Sequence, residues 1–362
     1  MRLAVVGTGL IGASVGLAAR RAGFSEVAGW DEDPEALTVA ADRGAVEPAL
    51  SLSAALHEAD VAVVAVPVAS LPGAVREVLA SAPAGCAVTD AGSTKSSVCD
   101  AAGADPRFIG GHPICGAETR GPGRASVELF DGATWFLTPL AATEPGCYRA
   151  VHGLVTALGA RPVAIGPAEH DRLVAVTSHL PHALANVLVN QAGASRVDGH
   201  DPLAAAGGSL RDMTRIAGAN PRIWVDIFLE NRGALTAALA DHRRRVEQLE
   251  AALAGGDAGF LARWIGEATG NRRRMLETAY EDAGALHRVR VHVFDRPGVL
   301  AGIFQALGAE RINVADFELE HLSPERGGAL TILVTGEREG SRAADLLEAQ
   351  GYGVVVAPVM DD

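Results

Sequence analysis

Short apolar runs alternate with helix-length amphipathic stretches through the first part of the chain. Arg2 to Val6 predicts a buried strand, and Leu10 to Ala22 the helix that follows it. Val27 to Trp30 predicts a second strand ending at Asp31, Val61 to Val66 a later one ending at Pro67, and Ala87 to Thr89 another ending at Asp90. Strands that are apolar at every position lie in sheets covered on both faces, so this alternation implies a doubly wound parallel sheet. Such sheets take their ligands at the carboxyl ends of the strands.

The pattern changes near Pro167. From Ala168 to about Ala283 the periodicity is helical, and Ile223 to Leu253 reads as one partly buried helix with apolar residues three to four apart. From Leu286 it changes again: His287 to Val293 alternates as a strand, Gly298 to Leu307 suits a helix, and Asp316 to His321 and Leu330 to Val334 are strand-like. A second helix over Ala343 to Gln350 and a strand over Val354 to Ala357 complete a βαββαβ module. The expected fold class is α/β: a Rossmann-type parallel-sheet domain over 1–166, an all-helical domain over 167–284 and the small module over 285–362.

Composition narrows the partners. A chain of 362 residues exceeds a single ordinary core, and 48% hydrophobic residues with 42 glycines suit an α/β protein that folds. A net charge of −13 argues against nucleic acid or an anionic membrane as partner. The triplets 243–245 and 272–274 are all arginine, but they sit among glutamates in helical patterns and read as solvated helix faces. Cys86, Cys99, Cys115 and Cys147 form no C-x-x-C pair and no metal-like spacing, which fits a reducing cytoplasm. The N-terminal apolar stretch is broken by glycines where a secretory signal would continue, and the longest apolar run elsewhere is too short to span a bilayer. A soluble cytoplasmic protein is expected.

Those glycines have their own meaning. Gly7-Thr-Gly9-Leu10-Ile11-Gly12 follows a predicted strand and opens a predicted helix, and Asp31 closes the next strand nineteen residues after Gly12. Glycines there allow a tight turn and close approach of a pyrophosphate to the helix N-terminus, while the acid accepts hydrogen bonds from a ribose. Asp31, Glu32 and Asp33 would repel a 2′-phosphate, so NAD is expected over NADP.

Two further runs carry chemistry. Asp90-Ala-Gly-Ser-Thr-Lys95 leads into Gly110-Gly-His-Pro-Ile114, offering His112 as a proton acceptor near neutral pH and Ser93 to hold it. The run from Gly207 to Arg215 offers guanidinium groups for a carboxylate. A base, an anion clamp and a dinucleotide site together describe an oxidoreductase acting on a carboxylate. His179 and His182 have the spacing of a metal pair, but no third ligand is evident and Pro181 suggests a helix start, so no metal is expected.

These motifs, in this order, resemble those of prephenate dehydrogenases: G-x-G-L-I-G, D-x-G-S-x-K at Asp90, G-G-H-P-I-x-G-x-E from Gly110 to Glu118, Ser178-His-Leu-Pro-His182, and Arg211-Asp-Met-Thr-Arg-Ile216. Asp295-Arg-Pro-Gly-Val-Leu300 looks like the first loop of an ACT domain, so the resemblance spans nearly the whole chain. It implies NAD-dependent oxidative decarboxylation of prephenate to 4-hydroxyphenylpyruvate, in tyrosine biosynthesis. By the same resemblance His112 is the catalytic histidine and Ser93 the serine that hydrogen-bonds it near the nicotinamide. Arg215 binds a substrate carboxylate, Glu118 shapes the pocket, and His179 or His182 approaches the substrate side chain. Asp212 orients its neighbours, and Arg211 is left between substrate contact and surface ion pair. Cys115 is a small apolar wall residue. The helical domain would form a homodimer, and Asp295, Arg296, Pro297, Gly298 and Asn313 would mark an aromatic amino-acid effector site, with tyrosine the foremost candidate.

Three other readings share some of these features. Arogenate or an amino-substituted prephenate would need the same chemistry but favours a pocket acid, whereas His182 leans toward prephenate. A 3-hydroxy-acid dehydrogenase would carry a lysine in its helical domain, and this helical region has none. A non-catalytic sensor of NAD and an amino acid would have no use for a base.

Overall fold

A computed structural model describes residues 1–115, 121–279, 285–294, 296–323 and 327–359. The chain divides into two compact units, residues 1–244 and 245–362.

The first unit is built on an eight-stranded sheet. Its first half holds β1 (Arg2–Val6), α1 (Leu10–Arg21), β2 (Glu26–Trp30), α2 (Pro34–Asp42), β3 (Glu47–Pro48), α3 (Leu52–Leu56), β4 (Val61–Val64) and α4 (Leu71–Ser81). Its second half holds β5 (Ala87–Asp90), α5 (Ser96–Ala102), β6 (Phe108–Pro113), β7 (Thr134–Pro139), α6 (Pro145–Ala157) and β8 (Arg161–Ala164). The strand order is β3-β2-β1-β4-β5-β6-β7-β8. Period-two alternation fills both faces: Leu3 and Val5 join Val61, Val63 and Leu137 in one buried cluster, while Ala4 and Val6 join Ala62, Val64 and Val88 in the other.

The sheet departs from the all-parallel expectation at one joint. β6 pairs antiparallel with β7, which then pairs parallel with β8. That joint places Phe136 directly opposite His112. It also makes His112 a strand residue, with Pro113 after it at the strand's end.

The helices that follow are α7 (Pro167–Val174), α8 (Leu180–Ala194), α9 (Gly208–Thr214), α10 (Pro221–Glu230), α11 (Arg232–Gly255) and α12 (Ala258–Ala279). Two readings of this region need correction. Pro181 does lie in the first turn of α8, but α8 is continuous with α7 through a π-helical turn at Ala175–His179, so the proline does not begin a separate helix. A wide turn of this kind accommodates the backbone hydrogen bond that proline cannot make. The single helix expected over Ile223 to Leu253 is two, α10 and α11, broken at Asn231. Asn231 is buried and its side chain is used in polar contacts, which no apolar period reveals. The division between the two units falls within α11.

The second unit ends in a four-stranded antiparallel sheet in the order β10-β11-β9-β12. It comprises β9 (Leu286–Val293), α13 (Val299–Ala309), β10 (Asp316–Ser323), β11 (Gly327–Thr335), α14 (Glu337–Ala349) and β12 (Val354–Pro358), the βαββαβ order read from the sequence. Along β9, Val289, Val291 and Val293 face Ile303, Leu307 and Leu347 of the two helices, whereas Arg288, Arg290 and His292 are exposed. Among the described residues no helix is long and apolar enough to cross a membrane, and no cluster of histidine, cysteine or carboxylate residues could hold a metal ion. The four cysteines are unbridged; Cys86, Cys99 and Cys147 are buried and Cys115 is half-buried.

Candidate active site

Two turns, after β1 and β5, and a group of helical residues around His112 of β6 supply the candidate residues. The first joins β1 to α1. Gly7 has φ +89°, a conformation that suits glycine, and a Cβ there would meet the carbonyl oxygen of Ala65 at 2.7 Å. A Cβ on Gly12 would meet the carbonyl of Gly7 at 1.8 Å, so the helix starts hard against the turn. Gly9 is different: nothing lies within 4 Å of its Cβ position. Gly9, Leu10 and Ile11 reach the surface there, and no side chain caps α1. The Asp31 carboxylate accepts the Thr8 backbone N–H at 2.5 Å and, with its other oxygen, the Asp33 N–H at 2.9 Å. This backbone fits a dinucleotide: tight where the turn must close, open where a phosphate must approach.

The second turn follows β5 and is organised by Lys95, the sole lysine of the sequence. Lys95 and Asp90 are both fully buried and form an ion pair. Together they clamp both backbone groups of one residue: Lys95 Nζ donates to the Gly111 carbonyl at 2.7 Å, and Asp90 Oδ1 accepts the Gly111 N–H at 3.0 Å. Gly111 has no room for a side chain, since a Cβ would meet the Asp90 carbonyl oxygen at 2.4 Å. The residue before His112 is thus fixed from both edges. Removing one member of such a pair would leave a bare buried charge, at a cost of about 3–5 kcal/mol.

The third group comes from the helices. His112 Nδ1 lies 2.9 Å from His170 Nε2, and His170 Nδ1 lies 2.9 Å from Asp171 Oδ1. The Asp171 carboxylate also accepts the backbone N–H groups of Lys95 at 2.7 Å and Ser96 at 2.8 Å, capping α5 from across the unit. Asn231 Nδ2 donates to the Asp171 carbonyl at 2.8 Å and lies 3.1 Å from His179 Nδ1. Phe136, opposite His112 in the sheet, packs edge-on to the His170 ring with centroids 5.5 Å apart. A continuous polar chain therefore runs from His112 through His170, Asp171 and Asn231 to His179.

Its charge states follow from its surroundings. Burial lowers the His112 pKa well below the usual imidazole value, reinforced by His170, Lys95 and His179 and opposed by Asp171. Burial alone would push the Asp171 carboxyl up, but hydrogen bonds from His170, Ser96 and Lys95 outweigh it and hold it at about 2. Burial lowers His179 to about 4, and His182 is lowered for the same reason. At neutral pH His112 is a neutral imidazole able to accept a proton, with an ionised carboxylate at the end of its chain.

The remaining expected residues are placed as follows. His182 stacks on Trp224, with ring centroids 3.6 Å apart, and its Nδ1 lies 3.0 Å from the Ser178 carbonyl. Trp224 also meets the His179 ring edge-on at 6.1 Å. Its helix, α10, packs on the turn Val68–Ser70 after β4, and α9 packs on α8. Arg215, just after α9, is exposed, and its guanidinium has no partner among the described residues. Asp212 and Arg211 are exposed on α9, Arg211 with a partner of its own. Ser93 is half-buried between Asp90 and Lys95, but among the described residues it makes no hydrogen bond to His112; His170 occupies Nδ1 instead. Glu118 and Asp295 lie outside the described residues.

In the C-terminal module, Arg296 stands over the Phe294 ring, 5.6 Å from its centroid. These two line a depression of about 80 Å³ with Val293, Val299, Leu300, Leu319 and Gly328. Gly298 begins α13 at φ +89°. Asn313 is exposed, and neither it nor Pro297 lines this depression.

Comparison with known proteins agrees with this layout. Residues 15–164 match the family model for the prephenate dehydrogenase nucleotide-binding domain, 166–267 that for the prephenate dehydrogenase dimerization domain, and 287–351 that for the ACT domain. The chain is 30% identical over 355 residues to prephenate dehydrogenase of Bacillus subtilis, covering 96% of this chain and 95% of the relative. Among solved structures, prephenate dehydrogenase from Aquifex aeolicus in complex with hydroxyphenyl propionate and NAD+ superposes with a TM-score of 0.70 at 29% identity, over 76% of this chain and 98% of that one. Synechocystis arogenate dehydrogenase superposes equally, with a TM-score of 0.70 at 29% identity, over 76% of this chain and 100% of the other. The chain belongs to the prephenate dehydrogenase family, carries a C-terminal ACT domain, and has the oxidoreductase activity general to prephenate and arogenate dehydrogenases.

Proposed function

We propose that the chain catalyses the NAD-dependent oxidative decarboxylation of prephenate to 4-hydroxyphenylpyruvate. The observation that carries this reading is His112: a neutral imidazole on β6, in the same sheet whose β1 leads into the dinucleotide turn, with Nδ1 engaged by His170 so that Nε2 remains for a substrate hydroxyl. NAD bound along Gly7–Gly12 and Asp31 supplies the hydride acceptor. His112 accepts the proton of the ring hydroxyl as the ring carbon beneath it is oxidised, the ring carboxylate leaves as carbon dioxide, and the ring becomes aromatic. Arg215, an exposed guanidinium with no partner among the described residues, holds a substrate carboxylate by charge-assisted hydrogen bonds. His182, braced on Trp224, supplies a neutral polar face to the side chain, where an amino group would call for an acid. Ser93 lies on the turn between Asp90 and Lys95 and serves the nicotinamide side of the site. The solved relative bound to NAD+ and hydroxyphenyl propionate supports both the cofactor and the aromatic acid.

The deciding experiment follows NADH absorbance with purified protein, NAD, and either prephenate or arogenate. Turnover with prephenate exceeding that with arogenate in kcat/KM supports the reading. The opposite order assigns the chain to arogenate, and turnover of neither substrate overturns the proposal.

A further inference from the structure

Taking His112 as the base, as the functional reading above does, we propose that His170 and Asp171 are positioning residues that fix the tautomer of His112 and share the positive charge it gains. The argument starts at the acid. Asp171 already accepts two backbone N–H groups and, being ionised, can offer His170 only a lone pair, so His170 Nδ1 carries a hydrogen. In the proposed arrangement that is the only hydrogen on the His170 ring nitrogens, which leaves its lone pair on Nε2. The 2.9 Å contact with His112 can be a hydrogen bond only if His112 Nδ1 carries the hydrogen, which leaves His112 Nε2 unprotonated. An unconstrained imidazole in water favours the opposite tautomer, with its hydrogen on Nε2, in which that nitrogen could not act as a base.

The packing is built to hold this arrangement. His170 is fully buried and edge-on to both His112 and Phe136, with both ring nitrogens engaged. Asp171 is anchored by α5, and the backbone of Gly111 by Asp90 and Lys95, so both ends of the relay are fixed. When His112 Nε2 takes a proton, its Nδ1–H strengthens its bond to His170, whose Nδ1–H is already paired with a carboxylate. Other charged and titratable groups face His112 as well. Lys95 opposes its protonation but is neutralised by Asp90, and His179 opposes it only when itself protonated. Asp171 is thus the counter-charge toward which the new positive charge is shared.

The test reads the tautomer directly. Protein carrying ¹⁵N-histidine is studied at pH 7.5 by ring nitrogen–proton correlation, the His112 signals being assigned by their loss in His112→Asn. The expected result is a neutral His112 with its hydrogen on Nδ1, changing to Nε2 in His170→Phe, which also lowers kcat by about 10²–10³-fold. His170→Gln offers an amide oxygen to His112 Nδ1–H but cannot share charge. It is expected to keep the native tautomer, recover at least about tenfold of the lost kcat, and move the acid limb of kcat/KM to lower pH. A hydrogen on Nε2 in the wild-type protein, or a His170→Phe variant with unchanged tautomer and kcat within about twofold, overturns the proposal. If the wild-type protein oxidises neither prephenate nor arogenate, the functional reading fails, while the nitrogen spectra of the resting protein still decide the tautomer.

Discussion

The Asp31 carboxylate and the Thr8 backbone N–H meet at 2.5 Å, so the acid expected to hold a cofactor ribose also ties the end of β2 to the turn after β1. Asp31→Ala therefore removes a ribose acceptor together with the hydrogen bonds from the Thr8 and Asp33 N–H groups, each a bond to a charged group worth about 1.5–3 kcal/mol. Asp31→Asn keeps an oxygen for Thr8 while removing the charge that disfavours a 2′-phosphate. We predict that both variants narrow the preference for NAD over NADP, and that the alanine variant alone loses several degrees of Tm. Steady-state constants for both cofactors, with thermal melts alongside, check this. A wild-type preference for NADP would remove the role given to Asp31.

His112→Asn is predicted to fold, to bind NAD normally and to lose roughly two to four orders of magnitude in kcat, the range for a general base. Asparagine fits the strand position opposite Phe136 and can still donate toward His170. Near wild-type turnover with an unchanged pH profile would mean that His112 is not the base.

Arg215→Ala is predicted to act mainly on substrate. Its guanidinium lacks a partner among the described residues, so removal leaves no buried charge behind, and Tm should stay within about a degree. Loss of a charge-assisted pair to a carboxylate should lower kcat/KM by about 2–5 kcal/mol, with NAD affinity unchanged. Equal damage to NAD and substrate binding would mark Arg215 as structural.

Much of this was legible in the sequence, for a physical reason. Strands covered on both faces, glycines at a phosphate turn and the alternation of β9 all leave local periodic signals, and those elements lie where the periodicity put them. The relay left none. His170, Asp171 and Asn231 sit in helices or at their ends, and what defines them is a partner 58 to 60 residues away in the chain. The break at Asn231 was hidden for the same reason, since apolar spacing continues on either side of it. Two signals were available: adjacent histidine and aspartate in the first helix after β8, and a lone lysine in a chain otherwise supplied with arginine. The antiparallel joint between β6 and β7 was not legible, because strand direction depends on the path of the connection rather than on side-chain pattern.

Acid should weaken the first unit before it protonates ordinary carboxylates. The folded-state pKa values of His112 and His179 are depressed, His179 to about 4 from 6.5. The unfolded chain therefore binds more protons between those values, and stability rises with pH across that window. The contribution is complete above about pH 6.5 and is lost as pH falls toward 4. Asp171, held at about 2, adds a second loss that begins only below about pH 4. Thermal melts from pH 7.5 to 4.5 should show a falling Tm, and His179→Asn should flatten part of the slope. A Tm independent of pH over that range would contradict the buried, neutral histidines.

The last prediction concerns the ACT domain, which we expect to bind an aromatic amino acid, tyrosine foremost, and to reduce activity. The depression beside Arg296 and Phe294 has an apolar wall from Val299, Leu300 and Leu319 and a guanidinium at its edge, the two features an aromatic α-amino acid requires. At about 80 Å³ it is smaller than a typical ligand pocket, so a second surface must close over the effector; a facing module of another copy would supply one. Coupling of about 1–3 kcal/mol would appear as a 5- to 150-fold change in apparent prephenate affinity. Gly298 offers a way to separate effector from chemistry. Its φ of +89° is strained for any residue with a Cβ, so Gly298→Val should distort the start of α13 and weaken inhibition while the uninhibited rate is kept. Rates measured across tyrosine and phenylalanine concentrations, for the wild type and Gly298→Val, decide between an effector site and a module that only stabilises the assembly. If neither amino acid changes the rate of the full-length enzyme, or if Gly298→Val is inhibited just as strongly, the effector does not act through this loop.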